Sequence, residues 1–415
     1  MLGVKEPLMG AMPVLDQMNA LHATMMEWRH DFHAHPELSL EEMRTSRKIE
    51  QLLHSFGVNE VHYGLAGTGV VGIIRGSRPG AALGLRADMD ALPISEATAL
   101  PYASRNSGVM HACGHDGHIS MLLGAAAYLA RTRDFGGTVY AIFQPAEEDR
   151  DGADLMLREG LFEKFPMDRI FGLHNWPSHP AGHFFWRNGA IMAAAAHIDI
   201  TITGKGAHAA HPDRGIDPIL ASAHVITALH SLVSRTIDPV DGGVVSVCRI
   251  EGGHAYNVIP DAVHLKGSAR WFTDEVGKTL REGVERVSRQ VANAFGATAE
   301  VSFQQTCIAT INEPRATALT RTAAEAVVGQ AAVHYLEKPS IGAEDFSSML
   351  NRKAGSYIIL GVGEGSQAPQ LHNPRYDFND RILPIGAAYW ATLVEQVLCL
   401  DKQNLEIAVS QLRAT

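Results

Sequence analysis

The chain has 415 residues, 46% of them hydrophobic and 19% charged, a balance that suits a soluble globular protein with ample core material. At this length two domains are expected rather than one core. A formal net charge of −10 leaves no basic stripe to neutralise phosphates, so nucleic-acid and anionic-membrane partners are excluded.

In chain order, residues 1–14 carry Lys5 and Glu6 without a sustained apolar stretch, so no signal peptide is expected. Residues 14–35 repeat Leu15, Met18, Leu21, Met25 and Trp28 at helical steps and read as a helix ended by Pro36. Ser39-Leu40-Glu41-Glu42 has the form of a capping box, which predicts a second helix through Phe56 closed by Gly57. Strands are expected over 58–63, 69–75 and 82–87, the last running into Asp88 and Asp90.

Next comes His111-Ala112-Cys113-Gly114-His115-Asp116-Gly117-His118, followed by an apolar stretch that reads as a buried helix. A strand over 137–143 runs into Gln144-Pro145-Ala146-Glu147-Glu148, and one over 169–173 runs into His174-Asn175-Trp176-Pro177. Three strands thus deliver Asp88 and Asp90, Glu147 and Glu148, and His174 at their carboxyl ends, the edge where α/β sheets bind ligands. From Ala196 the order is strand 197–203, helix 217–235, strands 244–250 and 262–270, helix 274–295, strand 298–304. That βαββαβ order is ferredoxin-like. A helix over 316–329, a strand over 357–360 and a final helix from Leu383 to about Leu400 return to α/β material. The expected fold is therefore a mixed-sheet α/β domain, 1–194 with 308–415, interrupted by a ferredoxin-like domain over 195–307.

Cys113, Cys248, Cys307 and Cys399 are far apart, with no finger-like or redox spacing, which suits a reducing compartment and a cytoplasmic location. No run of about 18 apolar residues is expected to span a membrane.

Cys113 and His115 stand two apart in a glycine-containing loop, so both can face one metal region. Thiolate, imidazole and carboxylate together suit zinc, and also manganese, cobalt or nickel. The competing reading is a polar loop whose histidines cap the following helix. Adjacent Glu147 and Glu148 face different ways, so one can hold metal while the other handles protons; a solvated loop is the alternative. His174 and His372 taken singly read as structural. The chain lacks the His-Glu-x-x-His of zincins and the Cys-x-x-Cys of zinc deaminases. A Cys113 nucleophile is a further alternative.

His111-Ala112-Cys113-Gly114-His115-Asp116, Phe143-Gln144-Pro145-Ala146-Glu147-Glu148 and Gly172-Leu173-His174-Asn175 closely resemble motifs of the aminoacylase–carboxypeptidase family of co-catalytic metallopeptidases, in its amidohydrolase branch. The stretches around Arg86, His208, Asn257, Glu344 and His372 match in family order. The resemblance implies a catalytic domain holding two divalent metal ions per subunit, zinc first, and a lid domain that forms a homodimer. By motif, Cys113, His115, Glu148, His174 and His372 would be metal ligands, with Cys113 bridging, and Glu147 the general base. His208 would stabilise the oxyanion, and Asn257 and Arg270 would bind a substrate carboxylate. Asp116 and His118 would orient the ligands or start the helix. The implied reaction is hydrolysis of N-acyl amino acids; an exopeptidase or dipeptidase with the same centre is the alternative. Asp88 stands where relatives with a di-zinc site carry a histidine, and Asp149-Arg150-Asp151 replaces the family's glycine-rich turn.

Overall fold

The computed structural model describes residues 13–363, 365 and 368–399. The N-terminal stretch read as free of a signal peptide lies outside them up to residue 12, as does Leu400, the expected end of the last helix. The described chain forms two compact units. One comprises the described parts of Met1–Gly189, Asn312–Glu337 and Ser348–Thr415; the other comprises Ala190–Ile311 and Lys338–Ser347.

The first unit is built on an eight-stranded mixed sheet. Its strand order is Glu60–Leu65, Gly69–Arg75, Gly136–Gln144, Arg78–Asp88, Arg169–Pro180, Gly355–Gly363, Phe184–Trp186 and Val333–Tyr335. The four middle strands are parallel to one another, antiparallel to the strands that flank them, and buried over most of their length, as their near-continuous apolar sequences require. Helices His115–Thr132 and Leu383–Cys399 belong to the same core, which includes Trp390, Tyr389 and Leu122. Asp380–Cys399 is long and apolar enough to cross a membrane by length and composition, an exception to the sequence expectation; 72% of that window is buried, as in a core helix.

In the second unit, the sheet order is Gly243–Glu251, Ala262–Trp271, Ala194–Thr203 and Thr298–Cys307, all antiparallel. Numbered by chain order these strands run 2-3-1-4, the arrangement that the βαββαβ pattern predicts. Ile198, Ile200 and Ile202 alternate with exposed or half-exposed His197, Asp199 and Thr201, so one sheet face is the core side. Pro218–Leu229 and Asp274–Ala294 supply Val225, Leu229, Leu280 and Val284 to that core. Each of these helices is capped by its preceding side chain, Asp217 or Thr273.

Local expectations change at several places: the helix expected over 217–235 is divided into Pro218–Leu229 and Ser231–Thr236, and three changes lie in the first unit. The first helix is divided into Val14–Ala20 and His22–Ala34. The second begins at Met43 rather than after Ser39, because Leu38 bridges to Ala91 and the Ser39 hydroxyl donates to Asp90 at 2.8 Å. Residues 174–177 do not follow their strand but lie inside Arg169–Pro180, where pairing with Gly355–Gly363 continues past Ile359 opposite His174.

Candidate metal centre

Chain order reverses around Arg78–Asp88: the next long strand pairs on one side of it, the one after that on the other. A crevice opens at the carboxyl ends of strands at such a switch. Asp88 closes one strand opposite Gln144, Glu147 and Glu148 follow from Gln144, and His174 stands two residues beyond the Arg86–Gly172 pair. The His111–His118 stretch enters beside them because Gly114, at φ +88°, turns the chain into helix His115–Thr132. A Cβ at Gly114 would lie 2.4 Å from Asn175 Oδ1, so this turn admits only glycine.

The donors converge. Cys113 Sγ is 3.4 Å from His174 Nε2, and His372 Nε2 is 3.4 Å from Glu148 Oε1. His115 Nε2 is 3.9 Å from Glu148 Oε1. Among the described residues of the first unit, ligand atoms fall within 4.8 Å of one another in three overlapping sets: Asp88 with His115, His118 and His174; Cys113 with Glu148 and His372; His115 with Glu147 and Glu148. His115 Nδ1 donates to the Asp90 carbonyl oxygen at 2.9 Å, with Asp90 Oδ1 at 3.2 Å. His174 Nδ1 donates to the Asn175 carbonyl at 2.7 Å. Both rings therefore turn Nε2 toward the cluster, the arrangement in which a second hydrogen bond fixes a ligating imidazole. His118 is occupied at both nitrogens: Nε2 accepts from the Asn175 N–H at 3.0 Å, and Nδ1 faces Asp88 Oδ1 at 2.5 Å.

The electrostatics call for a cation. Burial, then the charges of Glu148, Glu147 and Asp88, push the Cys113 thiol well above its ordinary range. Burial lowers His115, but the carboxylates of Asp88 and Asp90 outweigh it and raise the ring to about 10. Burial, with His118 and His115 nearby, holds His174 well below its ordinary value. Burial works to raise Asp88, but His115 and Arg86 outweigh it and hold the carboxyl well down. His115 Nε2 and Glu148 Oε1 are buried without a hydrogen-bond partner among the described residues. Orphaned ligand atoms facing a buried thiol and several carboxylates are satisfied together by a divalent ion, and the sulfur, nitrogen and oxygen set suits zinc.

Cys113, His115, Glu147, Glu148, His174 and His372 all belong to the first unit and lie in these sets. His208, Asn257 and Arg270 belong to the second. There His208 is exposed and pairs with Val258, and the Ala209 N–H donates to the Asn257 carbonyl at 3.0 Å, making them neighbours. Arg270 lies on the four-stranded sheet opposite Ala195 and Val244. Asp116 lies in the first turn of its helix, where its Oδ1 accepts from the Gly117 N–H at 3.0 Å; its Oδ2 faces His33 Nδ1 at 2.7 Å, and Arg29 Nη1 stands 3.7 Å from it. Sequence reasoning missed this support. Arg29 also reaches Asp377 and Asp380, each at 2.7 Å, on the segment that follows His372. The available signal was the four-residue spacing of Arg29 and His33, which places both on one helix face.

The model of peptidase family M20/M25/M40 matches residues 84–396. Hippurate hydrolase from Campylobacter jejuni is 37% identical over 387 residues, covering 93% of this chain and 100% of that protein. N-acetylcysteine deacetylase from Bacillus subtilis is 36% identical over 382 residues, covering 91% and 98%. The crystal structure of the Bacillus subtilis YXEP protein, described as a dinuclear metal-binding peptidase, superposes with a TM-score of 0.79 at 33% identity, covering 92% and 99%.

Proposed function

The chain belongs to peptidase family M20/M25/M40, on its amidohydrolase branch, and from that premise we propose that it hydrolyses N-acyl amino acids to a carboxylic acid and an amino acid. The observation that carries the reading is the convergence of Cys113, His115, Glu147, Glu148, His174 and His372 at one strand edge of a chain 37% identical to a hippurate hydrolase. In this reading Cys113, His115, Glu148, His174 and His372 would hold two divalent ions, zinc foremost. When bound, such ions acidify a water and polarise the scissile carbonyl.

The chain's own groups do the rest. Glu147 takes the proton from the attacking water and returns it to the leaving nitrogen. Asp90 keeps the His115 ring in the tautomer that leaves Nε2 free. His208 donates to the oxyanion, and Asn257 with Arg270 receives the substrate's free carboxylate, for which an arginine fork is suited. The domain expected over 195–307, which falls within the second unit, serves as lid and homodimer surface; the edge strands Gly243–Glu251 and Thr298–Cys307 support this. Four free cysteines support a cytoplasmic location.

The test is a panel of N-acetyl, N-benzoyl and N-indoleacetyl amino acids, with matching free dipeptides, on stripped enzyme reloaded with zinc, manganese, cobalt or nickel. Preference for the acylated member is expected; preference for the free dipeptide would move the assignment to an exopeptidase. Glu147→Gln should lower kcat by about two to four orders of magnitude with metal content unchanged. Full activity of that variant would remove the reading.

A further inference from the structure

Glu42 is buried and belongs to none of the ligand sets. It stands just before helix Met43–Ser55, 104 residues in sequence from Ala146. Its Oε2 accepts from the Thr68 hydroxyl at 2.7 Å, and its Oε1 accepts from the backbone N–H of Ala146 at 2.9 Å. Burial pushes this carboxyl up to about 7.

Ala146 is the residue before Glu147, and its φ is +57°. A non-glycine residue reaches that left-handed region only when its surroundings hold it there. Here the holding groups are visible. The Ala146 carbonyl accepts from the Gly152 N–H at 3.0 Å, and the Glu148 N–H donates to Asp90 Oδ2 at 3.0 Å. The backbone of Glu147 is thus pinned from both sides by buried carboxylates, Glu42 on the preceding amide and Asp90 on the following one. Asp90 also orients His115, so it already belongs to the centre. Glu42 has no such second task.

The geometry points to Glu42 as a positioning residue for the general base: its carboxylate holds Ala146 in the left-handed turn that aims Glu147 at the reacting water. Removing it orphans the Ala146 N–H and frees this residue to relax toward the right-handed region, swinging Glu147 away. The inference rests on the reading of Glu147 as the base.

The test is a kinetic cycle on the metal-loaded enzyme. Glu42→Ala should lower kcat on the order of a hundredfold, the cost of misplacing a reacting group by about 1 Å. KM should stay within about twofold, and metal content should equal that of the unaltered protein. Adding Ala146→Gly should recover most of the loss, because glycine adopts positive φ without strain. Glu42→Gln should keep kcat within about threefold, since its carboxamide can accept from Ala146 and donate to Thr68. If Glu42→Ala does not fold, Glu42→Asp, whose carboxylate ends one methylene short, carries the same two expectations. A folded Glu42→Ala or Glu42→Asp with unchanged kcat overturns the inference, and so does the absence of any recovery with Ala146→Gly. Full activity of Glu147→Gln would instead remove the underlying reading. Intact kcat in the Glu42 variants of an enzyme that Glu147→Gln silences would remove this inference alone.

Discussion

His33 is wholly buried, its Nδ1 2.7 Å from Asp116 and its Nε2 3.4 Å from Glu96. Burial lowers its pKa, but hydrogen bonds to the two carboxylates outweigh that and raise it from 6.5 to about 9. A folded-state value above the unfolded one means the charged pair stabilises fully below pH 6.5. That stabilisation is then lost as pH rises through 9. Urea unfolding should therefore show the native protein losing up to about 3 kcal/mol more than His33→Gln across this window. A second residue, Gly114, combines φ +88° with the Asn175 amide and the Tyr376 hydroxyl where a Cβ would go. Gly114→Ala should cost about 1–3 kcal/mol in denaturant unfolding and lower bound metal, read by elemental analysis, because Cys113 and His115 flank the turn.

Helix His115–Thr132 is buried along almost its whole length, and glycines let its neighbours approach. A Cβ at Gly117 would lie 2.4 Å from the Phe378 ring, and one at Gly124 would lie 2.4 Å from Met25 Sδ. Alanine is the better helix former by roughly 1 kcal/mol. Gly117→Ala should nevertheless destabilise by about 1–3 kcal/mol, because the aromatic ring on the neighbouring segment has little room to yield. Calorimetry of the variant decides the sign. Elements of this kind were the most legible part of the sequence. Strand Gly69–Arg75 has the expected ends, and the apolar stretch after Cys113 is a helix as read. What local pattern could not carry was partnership. Ser39 has a capping-box sequence yet donates to Asp90, and His174 continues a strand because Gly355–Gly363 lies beside it. The candidate ligands were legible because their residue types are rare in such density. Arg29, His33 and Glu42 were not, because each acts through partners far along the chain.

Cys113, His115, Glu148, His174, His372 and Glu147 all lie in one of the two compact units. Metal held there should stabilise that unit alone. With free ion at a hundredfold its dissociation constant, the gain is about 2.7 kcal/mol. Scanning calorimetry before and after chelation should therefore move a transition that reports on Trp390 and its surroundings. A transition that reports on Trp271 in the second core should stay in place.

The first unit is assembled from three stretches of chain, and its closing contacts come late. The His372 N–H donates to the Ala112 carbonyl at 2.8 Å, and Arg29 waits for Asp377 and Asp380. At a synthesis rate of about 5–20 residues per second, His372 leaves the ribosome roughly 15–50 s after Cys113. Throughout that interval the Ala112 carbonyl and the Arg29 guanidinium lack the hydrogen bonds that only the final segment brings.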